Sequence, residues 1–246
     1  MDRLIYTAYS GLRGSLSAQS AIANNLANAN TIGFRADRVA FEAQTLKGPG
    51  IEARAPSAME VKDADMKAGA VVETGRPMDL AITGNAMMAV QADDGSEGYT
   101  RRGDLMISPS GLLQTGDGHL VLGNGGPISI PASSTVSINA DGTVQIVAPG
   151  GDPKNPETVD RIKLVSPDGS PIVKAVDGLF RVVGGGVLPA DLDARAQPGA
   201  LEQSNVSSAQ MLVEMIENQR LFDMRTKLLT TAKDLDEGGA SLMRIN

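Results

Sequence analysis

Apolar residues recur in alternating steps of four and three at both ends of this 246-residue chain. The N-terminal pattern has eight positions: Met1, Ile5, Ala8, Leu12, Ser15, Gln19, Ile22 and Leu26. Six of them are apolar. Such heptad spacing is typical of a helix that packs lengthwise against another helix. Ser15 and Gln19 interrupt the seam, and Gly11 and Gly14 each cost about 1 kcal/mol of helix stability relative to alanine. We therefore expect this helix to be marginal when it is alone.

The C-terminal end predicts a second, longer helix. Ser207 followed three residues later by Gln210 forms a capping box, and neither proline nor glycine interrupts 202–237. Its apolar residues form two stripes: Leu212, Met215, Gln219, Phe222, Thr226 and Leu229, and Leu221, Leu228, Leu235 and Leu242. We expect the two terminal helices to pair as a coiled coil, because this arrangement buries the apolar seams of both. The polar positions of the seams are then expected to contact neighbouring subunits. A self-contained coiled coil or an intramolecular bundle are the alternatives.

Residues 84–195 are β-rich. Short apolar runs alternate there with tight-turn signals, namely Asn124-Gly125 and five Asp-Gly pairs: Asp94-Gly95, Asp117-Gly118, Asp141-Gly142, Asp168-Gly169 and Asp177-Gly178. These dipeptides favour left-handed backbone at hairpins, and their spacing predicts an antiparallel sandwich or barrel-like domain. The expected fold class is thus α+β, with a central β domain between terminal helices.

Four segments follow from this division. They are the N-terminal helix with its asparagine-rich end (1–35), an extended connector (36–83), the β domain (84–195) and the C-terminal helix (196–246). The connector has no sustained period, although a short helix over Asp37–Leu46 is possible. A long irregular segment is unusual within a compact domain, so residues 45–75 either fold back on the β domain or reach another subunit.

Composition excludes several functional classes. Aromatic residues are only 3% of the chain, and 22 basic against 29 acidic residues give a net charge of −7, which disfavours binding to nucleic acid or acidic lipid. Cysteine is absent and His119 is the one histidine, so thiol chemistry and histidine-rich metal sites are excluded. The sequence contains no run of about 18 apolar residues, so it predicts no helix that spans a membrane. The N-terminus lacks the pattern of a secretory signal peptide, so any export is expected to need no cleaved signal.

Weaker signals for chemistry have simpler structural interpretations. The Asp-Gly carboxylates could bind calcium or cleave glycosides, His119 could act as a base, and Gly184-Gly185-Gly186 could bind phosphate. Each of these residues is explained equally well by a structural role, as part of a turn or at the start of a strand. Asn205-Val206-Ser207 is better interpreted as a helix cap than as a glycosylation site. Arg101 and Arg102 fit an acidic partner or a solvated strand end equally. We expect no catalytic, cofactor or metal site, and the competing hypotheses are an enzyme on a β scaffold and a monomeric lectin-like module.

Asparagines crowd the end of the first helix, in the string Asn24-Asn25-Leu26-Ala27-Asn28-Ala29-Asn30-Thr31-Ile32-Gly33-Phe34-Arg35. Asparagine is a poor interior helix former, and the amides of Asn24 and Asn28 could bond carbonyls of adjacent helices, while Gly33 could end the helix. This string resembles the N-terminal signature of the bacterial flagellar rod and hook family. Three further strings resemble that family in the same order: Met1-Asp2-Arg3-Leu4-Ile5-Tyr6, Gly84-Asn85-Ala86-Met87-Met88 with Tyr99-Thr100-Arg101-Arg102-Gly103, and Leu201-Glu202-Gln203-Ser204-Asn205-Val206. Family members usually have aromatic residues at the positions of Met87 and Met88.

The resemblance is closest to proximal-rod members, with distal-rod and hook-type members as alternatives. It implies a structural subunit that assembles with itself and other rod proteins into a helical tube and transmits torque from motor to hook. It also implies passage through the flagellar type III export apparatus and a location in the basal body, in the rod that spans the periplasm. Expected subunit-interface residues lie on both helices and in the asparagine-rich string: Ile5, Leu12, Gln19, Ile22, Asn24, Asn25, Leu26, Asn28, Asn30, Gly33, Phe34, Leu212, Met215, Phe222, Leu228, Leu229 and Leu235.

Overall fold

The computed structural model describes residues 2–43, 57–131, 134–152 and 154–243. The chain divides into two compact units. The helical unit comprises Met1–Ala29, Asp37–Asp63 and Val206–Asn246, and the β unit comprises Asn30–Ala36 and Ala64–Asn205. The α+β class is confirmed, with a helix at each end and antiparallel sheets between them.

The helical unit contains two long helices and a two-stranded sheet. Its elements are α1 (Asp2–Ala27), β1 (Asp37–Ala43), β2 (Ser57–Ala64) and α2 (Ser208–Met243), and β1 pairs with β2. The possible short helix over 37–46 was wrong where the chain is described, because Asp37–Ala43 is a strand. Packing against α1 and pairing with β2 override the weak local helix preference of this segment. Neither described helix is both long and apolar enough to cross a membrane.

The N-terminus of α2 begins as its sequence predicts. Ser207 immediately precedes the helix, and its Oγ accepts a hydrogen bond from the Gln210 amide at 3.4 Å. The second half of the capping box does not form in this conformation, since Gln210 Nε2 donates to Glu214 Oε1 at 2.8 Å. Ser207 therefore caps the helix without the reciprocal bond.

Fifteen further strands build the β unit within the described residues. They are β3 (Val71–Glu73), β4 (Leu80–Ile82), β5 (Met87–Gln91), β6 (Glu97–Thr100), β7 (Leu105–Ile107), β8 (Leu113–Thr115), β9 (Leu120–Val121), β10 (Thr135–Ile138), β11 (Thr143–Val147), β12 (Glu157–Arg161), β13 (Leu164–Val165), β14 (Ile172–Lys174), β15 (Phe180–Val182), β16 (Ala196–Pro198) and β17 (Ala200–Glu202).

Antiparallel pairing organises these strands into a large sheet and three smaller ones. The large sheet has the order β14-β15-β6-β5-β9-β8-β7, with β13 also paired to β5, and β10-β11-β12 form a second sheet. Two strand pairs, β16-β4 and β17-β3, join the C-terminal end of the unit to its beginning. Four of the five Asp-Gly turns connect consecutive paired strands, and all five glycines have positive φ, whereas at Asn124-Gly125 the left-handed residue is Gly126.

The large sheet is buried on both faces at its centre. On β5, Met88 and Val90 belong to one apolar cluster and Met87 and Ala89 to another. The first cluster also includes one face of β10 and β11, where buried and partly exposed residues alternate. Both methionines are completely buried. The Met-Met departure from the family's aromatic pattern is therefore a matter of core packing, which flexible methionine tolerates.

Candidate functional site

Three of the strings that carried the resemblance meet in the β unit through buried charges. Arg35 is the last residue of the asparagine-rich string, Arg101 follows β6, and Glu202 ends β17. Arg35 Nη1 lies 2.6 Å from Glu202 Oε1, and Arg101 Nε donates to Glu202 Oε2 at 2.7 Å. All three side chains are at most 2% exposed. We call Gly33, Arg35, Arg101, Glu202 and Asn205 the motif junction.

Arg101 also donates hydrogen bonds to backbone carbonyl oxygens near the start of the large sheet. Its Nη1 donates to the carbonyl oxygens of Gly84 at 2.8 Å and Ala86 at 2.6 Å, and its Nη2 donates to that of Ile82 at 2.5 Å. Glu202 Oε1 accepts a further bond from the amide of Gly69 at 2.8 Å. A buried guanidinium and a buried carboxylate are stable only with such complete hydrogen bonding. The junction thus joins five separate stretches of the β unit, near residues 35, 69, 82–86, 101 and 202.

The electrostatics of the junction reflect two cations around one anion. Burial lowers the pKa of Arg101, since removal from water disfavours the charged form; Glu202 opposes this effect and Arg35 adds to it. An arginine keeps its proton at neutral pH even so. Arg101 therefore acts as a fixed positive charge that pairs with Glu202 and binds backbone carbonyl oxygens.

Backbone contacts complete the motif junction. The Gly33 amide donates to the Glu202 carbonyl oxygen at 2.8 Å, and the Ala36 amide donates to Asn205 Oδ1 at 2.8 Å. Asn205 Nδ2 in turn donates to the carbonyl oxygens of Asp65 at 2.7 Å and Lys67 at 3.0 Å. In sequence, residues 33–36 directly precede β1 and Asn205 lies three residues before α2. The junction thus fastens the two chain segments that lead to and from the helical unit.

Gly33 has a different role from the one expected. Its φ of +67° is left-handed as predicted, but α1 ends at Ala27, six residues earlier. A Cβ at Gly33 would lie 2.5 Å from the Arg101 carbonyl carbon, so glycine is needed for close backbone approach. Phe34 packs under a cation, with Lys174 Nζ 3.6 Å from its ring centroid.

The asparagines at the end of α1 hold the following strand. Asn25 Nδ2 donates to the Asp37 carbonyl oxygen at 3.0 Å, and the Asp37 amide donates to Asn25 Oδ1 at 2.7 Å. Asn24 Nδ2 donates to Asp37 Oδ2 at 2.5 Å, and Asn28 Nδ2 donates to the Asn24 carbonyl oxygen at 2.9 Å. The amides of Asn24 and Asn28 therefore bond residues of their own chain segment, where carbonyls of adjacent helices were expected. Asn25 mimics a β-strand partner for the start of β1.

Polar contacts connect α1 and α2. Asn218 Nδ2 donates to the Ser15 carbonyl oxygen at 2.9 Å, and Arg225 Nη1 donates to the Gly11 carbonyl oxygen at 2.6 Å and to Ser15 Oγ. Ser15 is completely buried and Asn218 is 8% exposed. The polar seam position at Ser15 thus contacts the second helix of the same chain.

The two expected stripes of α2 differ in exposure. Apart from Glu214, the less exposed described positions of α2 follow heptad spacing: Met211, Met215, Asn218, Phe222, Arg225, Leu229 and Ala232. Leu221, Leu228 and Leu235 are 44%, 58% and 61% exposed. Leu212, which was placed with the first stripe, is 50% exposed. A large apolar surface on α2 is therefore uncovered in the single chain.

The other expected interface residues vary in exposure. Ile22 and Asn25 are buried, Leu12, Gln19, Leu26 and Asn28 are partly exposed, and Asn24 and Asn30 are exposed. Ile5 lies in α1, but its side chain is outside the described part of the chain. The structure thus places these residues on both helices, the asparagine-rich end and the motif junction.

The two arginines that were considered for binding a partner bond to carboxylates of the same chain. Arg101 is neither solvated nor available to a partner, which corrects both earlier interpretations, whereas Arg102 Nε donates to Asp104 Oδ1 at 2.7 Å. His119 Nδ1 is buried and makes no hydrogen bond to the described residues, and the exposed Asp93 carboxylate lies 3.8 Å from it. Among the described residues, no three histidine or carboxylate side chains are arranged to hold a metal ion.

Comparisons with known proteins identify the family. Residues 5–35 match the family described as flagella basal body rod protein, residues 81–146 the flagellar hook protein FlgE/F/G D1 domain, and residues 197–242 the flagellar basal body rod FlgEFG protein C-terminal family. Over 247 residues the chain is 40% identical to the flagellar basal-body rod protein FlgF of Salmonella typhimurium, covering 98% of each chain. The chain belongs to the flagellar basal-body rod protein family.

Other relatives agree with this assignment. The rod protein is 39% identical over 240 residues to FlgF of Escherichia coli, covering 95% of each chain. It is 32% identical over 267 residues to the rod protein FlgG of Bacillus subtilis, covering 99% of this chain and all of the relative. The rod protein is thus a structural subunit of the flagellar basal body, and its resemblance to the FlgF type is confirmed. The motif-junction residues Arg35, Arg101 and Glu202 each lie within one of the three matched segments.

Proposed function

We propose that the rod protein builds the flagellar rod through α1 and α2, which pair as a coiled coil and pack against the helices of neighbouring subunits. Within the β unit, the β10-β11-β12 sheet and the large sheet then stack as a sandwich. The observation that carries this proposal is the exposed apolar surface of the helices. Nine of the 18 exposed large apolar side chains among the described residues lie there: Tyr9, Leu16, Leu212, Val213, Ile216, Leu221, Met224, Leu228 and Leu235.

The spacing of these side chains suits a lengthwise partner. Leu221, Met224, Leu228 and Leu235 follow each other in steps of three, four and seven, so they lie along one face of α2. Fully burying such a side chain contributes about 1.5–3 kcal/mol. Several half-exposed side chains of this kind can drive association of one helix with its neighbours, and repetition along the rod multiplies the effect.

Transmission of torque follows from this arrangement. Interlocked axial helices resist twisting collectively, and the motif junction ties the chain segments flanking the helical unit into the β unit. No reaction is part of this role, so the protein is proposed to be non-enzymatic. Its proposed partners are itself and other rod proteins. The family resemblance further supports transit through the flagellar type III export apparatus without a cleaved signal, and a final position in the rod that spans the periplasm.

The proposal is tested with two matched triple variants in a strain that lacks the wild-type chain. The first carries Leu221→Ser, Leu228→Ser and Leu235→Ser on α2. The control carries Val173→Ser, Val176→Ser and Val183→Ser on the β unit, where the side chains are 41%, 109% and 54% exposed. We expect the helix variant to be exported without forming rods and the control to swim. The unfolding midpoints of both purified variants are compared with that of the wild-type protein, to check that the β unit is intact. Swimming of the helix variant at the wild-type level would contradict the proposal.

A further inference from the structure

The helical unit buries polar groups where a coiled-coil seam is normally apolar. Ser15 occupies a seam position of α1 and Asn218 one of α2, and both are buried. We propose that Gly11, Ser15, Asn218 and Arg225 form a register lock, which fixes the axial position of α2 along α1. This inference rests on the proposed pairing of the helices and adds the residues that determine its register.

The lock consists of two contacts that are seven residues apart on α2 and four residues apart on α1. Asn218 Nδ2 donates to the Ser15 carbonyl oxygen at 2.9 Å, and Arg225 Nη1 donates to the Gly11 carbonyl oxygen at 2.6 Å. Since the α1 residue number falls as the α2 residue number rises, the helices run antiparallel through the lock. Arg225 also contacts Ser15 Oγ, so the two α2 side chains share one serine.

Small residues of α1 leave room for the arginine. A Cβ at Gly11 would lie 3.3 Å from Arg225 Nε, which is tighter than ordinary packing. Ser15 is the smallest residue that still offers a hydroxyl acceptor. The glycine and serine that weaken α1 as an isolated helix thus form the receiving surface for the arginine of α2.

An apolar seam alone does not distinguish between registers one heptad apart. A slip of seven residues moves α2 by about 10.5 Å and again places apolar residues opposite apolar residues. In one such slip Ile22, which is 9% exposed, takes the place of Ser15, so Arg225 loses the Ser15 hydroxyl and the larger Ile22 side chain keeps the buried Asn218 amide from the backbone carbonyl beneath it. An unsatisfied buried polar group disfavours the slipped register by about tenfold or more. Buried polar residues fix register in coiled coils for this reason.

The absence of cysteine from the chain permits a direct test by disulfide cross-linking. Helical spacing places Ala18 opposite Met215, three residues from Ser15 and from Asn218 respectively. The pair Ala18→Cys with Met215→Cys reports the native register, and Ala18→Cys with Phe222→Cys reports a slip of one heptad. Each pair is made in the full chain, expressed in cells that lack the wild-type protein, oxidised during rod assembly and scored by non-reducing gel mobility.

The two pairs are then combined with changes in the lock. The test background carries Asn218→Leu and Arg225→Met. The control background carries Gln219→Leu and Thr226→Leu, which are the next residues around the helix, equally one heptad apart and exposed. We expect the ratio of native to slipped intrachain disulfide to fall about tenfold in the test background and to stay unchanged in the control. If the double variant is degraded, Asn218→Leu alone is scored in the same way.

The outcomes separate this inference from the proposed function. An unchanged ratio in the test background, with strong native cross-linking, overturns the lock and leaves the helix pairing intact. Cross-links found only between chains, or none with either pair in the unaltered background, overturn the intrachain pairing itself and the lock with it. A fall of the ratio in both backgrounds overturns the specific role of Asn218 and Arg225.

Discussion

Glu202 is the residue on which the buried charges of the β unit depend. Glu202→Gln keeps the shape of the side chain and an acceptor for the Gly69 amide, but it leaves Arg35 and Arg101 as two buried cations without an anion. Removing one member of a buried ion network typically costs about 3–5 kcal/mol. We expect a loss of this size in the free energy of unfolding, measured by urea denaturation at pH 7.

The matched control for Glu202 is an exposed ion pair. Asp177 Oδ2 lies 2.6 Å from Arg181 Nη2, with the two side chains 36% and 28% exposed. Solvent screens such a pair, so Asp177→Asn should cost about 1 kcal/mol or less. Equal losses for Glu202→Gln and Asp177→Asn would show that the motif junction contributes no more than a surface pair.

Tyr99 makes the stability of the β unit depend on pH in alkaline solution. Burial raises its pKa to about 12, and its Oη accepts a bond from the Leu188 amide at 2.6 Å. Below pH 10 both the folded and the unfolded states keep the phenol proton. Between pH 10 and 12 only the unfolded state ionises, so this tyrosine lowers the free energy of unfolding by about 1.4 kcal/mol per pH unit.

The change Tyr99→Phe isolates this effect. Near pH 8 we expect the variant to be less stable by about 1 kcal/mol, because the buried Leu188 amide loses its acceptor. As pH rises above 10, the wild-type protein should lose stability faster than the variant, and the two should converge or cross. Parallel curves of unfolding free energy from pH 8 to 11.5 would show that Tyr99 does not carry this pH dependence.

The residues of the motif junction were visible in the sequence only as parts of separate strings. Arg35, Arg101 and Glu202 stood in or beside the strings that carried the resemblance, but nothing local shows that they meet. Arg101 and Glu202 are separated by 101 positions, and a buried arginine has the same appearance in a sequence as an exposed one. Pairing at this distance depends on how the strands of the whole unit are arranged.

At the scale of elements, Gly33 shows how closely two segments approach. Alanine there needs a strained φ of +67°, and its Cβ would lie 2.5 Å from the Arg101 carbonyl carbon. Gly75 has a similar φ of +70°, but a Cβ there would have no neighbouring atom within 4 Å, so it provides a control for backbone strain alone. We expect Gly75→Ala to cost about 1 kcal/mol and Gly33→Ala about 3 kcal/mol or more, in thermal or urea unfolding. Similar losses would mean that the Arg101 backbone moves aside without cost.

Local patterns predicted some elements and missed others. The run 143–147 lies in the segment that was predicted to be β-rich and is strand β11, and the Asp-Gly pairs mark real turns. The segment that follows Asp37 has no strong period, so its strand was missed. The feature of the sequence that could have indicated this strand is Asn25, because an asparagine side chain can bond to the backbone at the start of a strand. In the structure Asn25 makes two such bonds to Asp37.

At the scale of the whole molecule, the described parts of the two units differ in how many apolar side chains they bury. The α+β class was predictable because heptad spacing at the ends and hairpin spacing in the middle are both local. The extent of each core was not, since it depends on which sheets pack together. Of the 33 buried apolar side chains among the described residues, Ala21, Ile22 and Met211 belong to the helical unit and the other 30 to the β unit.

This difference predicts how the purified, unassembled protein responds to protease. A helix pair with few buried apolar side chains is marginal in isolation, because apolar burial must offset the conformational entropy of ordering the chain. We expect limited trypsin digestion to cut α2 first, where Arg220, Lys227 and Lys233 are exposed, and to leave a fragment close to 64–205, identified by mass. In isolated rods the same sites should be protected, since neighbouring helices would cover them. Resistance of α2 in the unassembled chain would show that the helices are stable without neighbours, and assembly would then join preformed helix pairs.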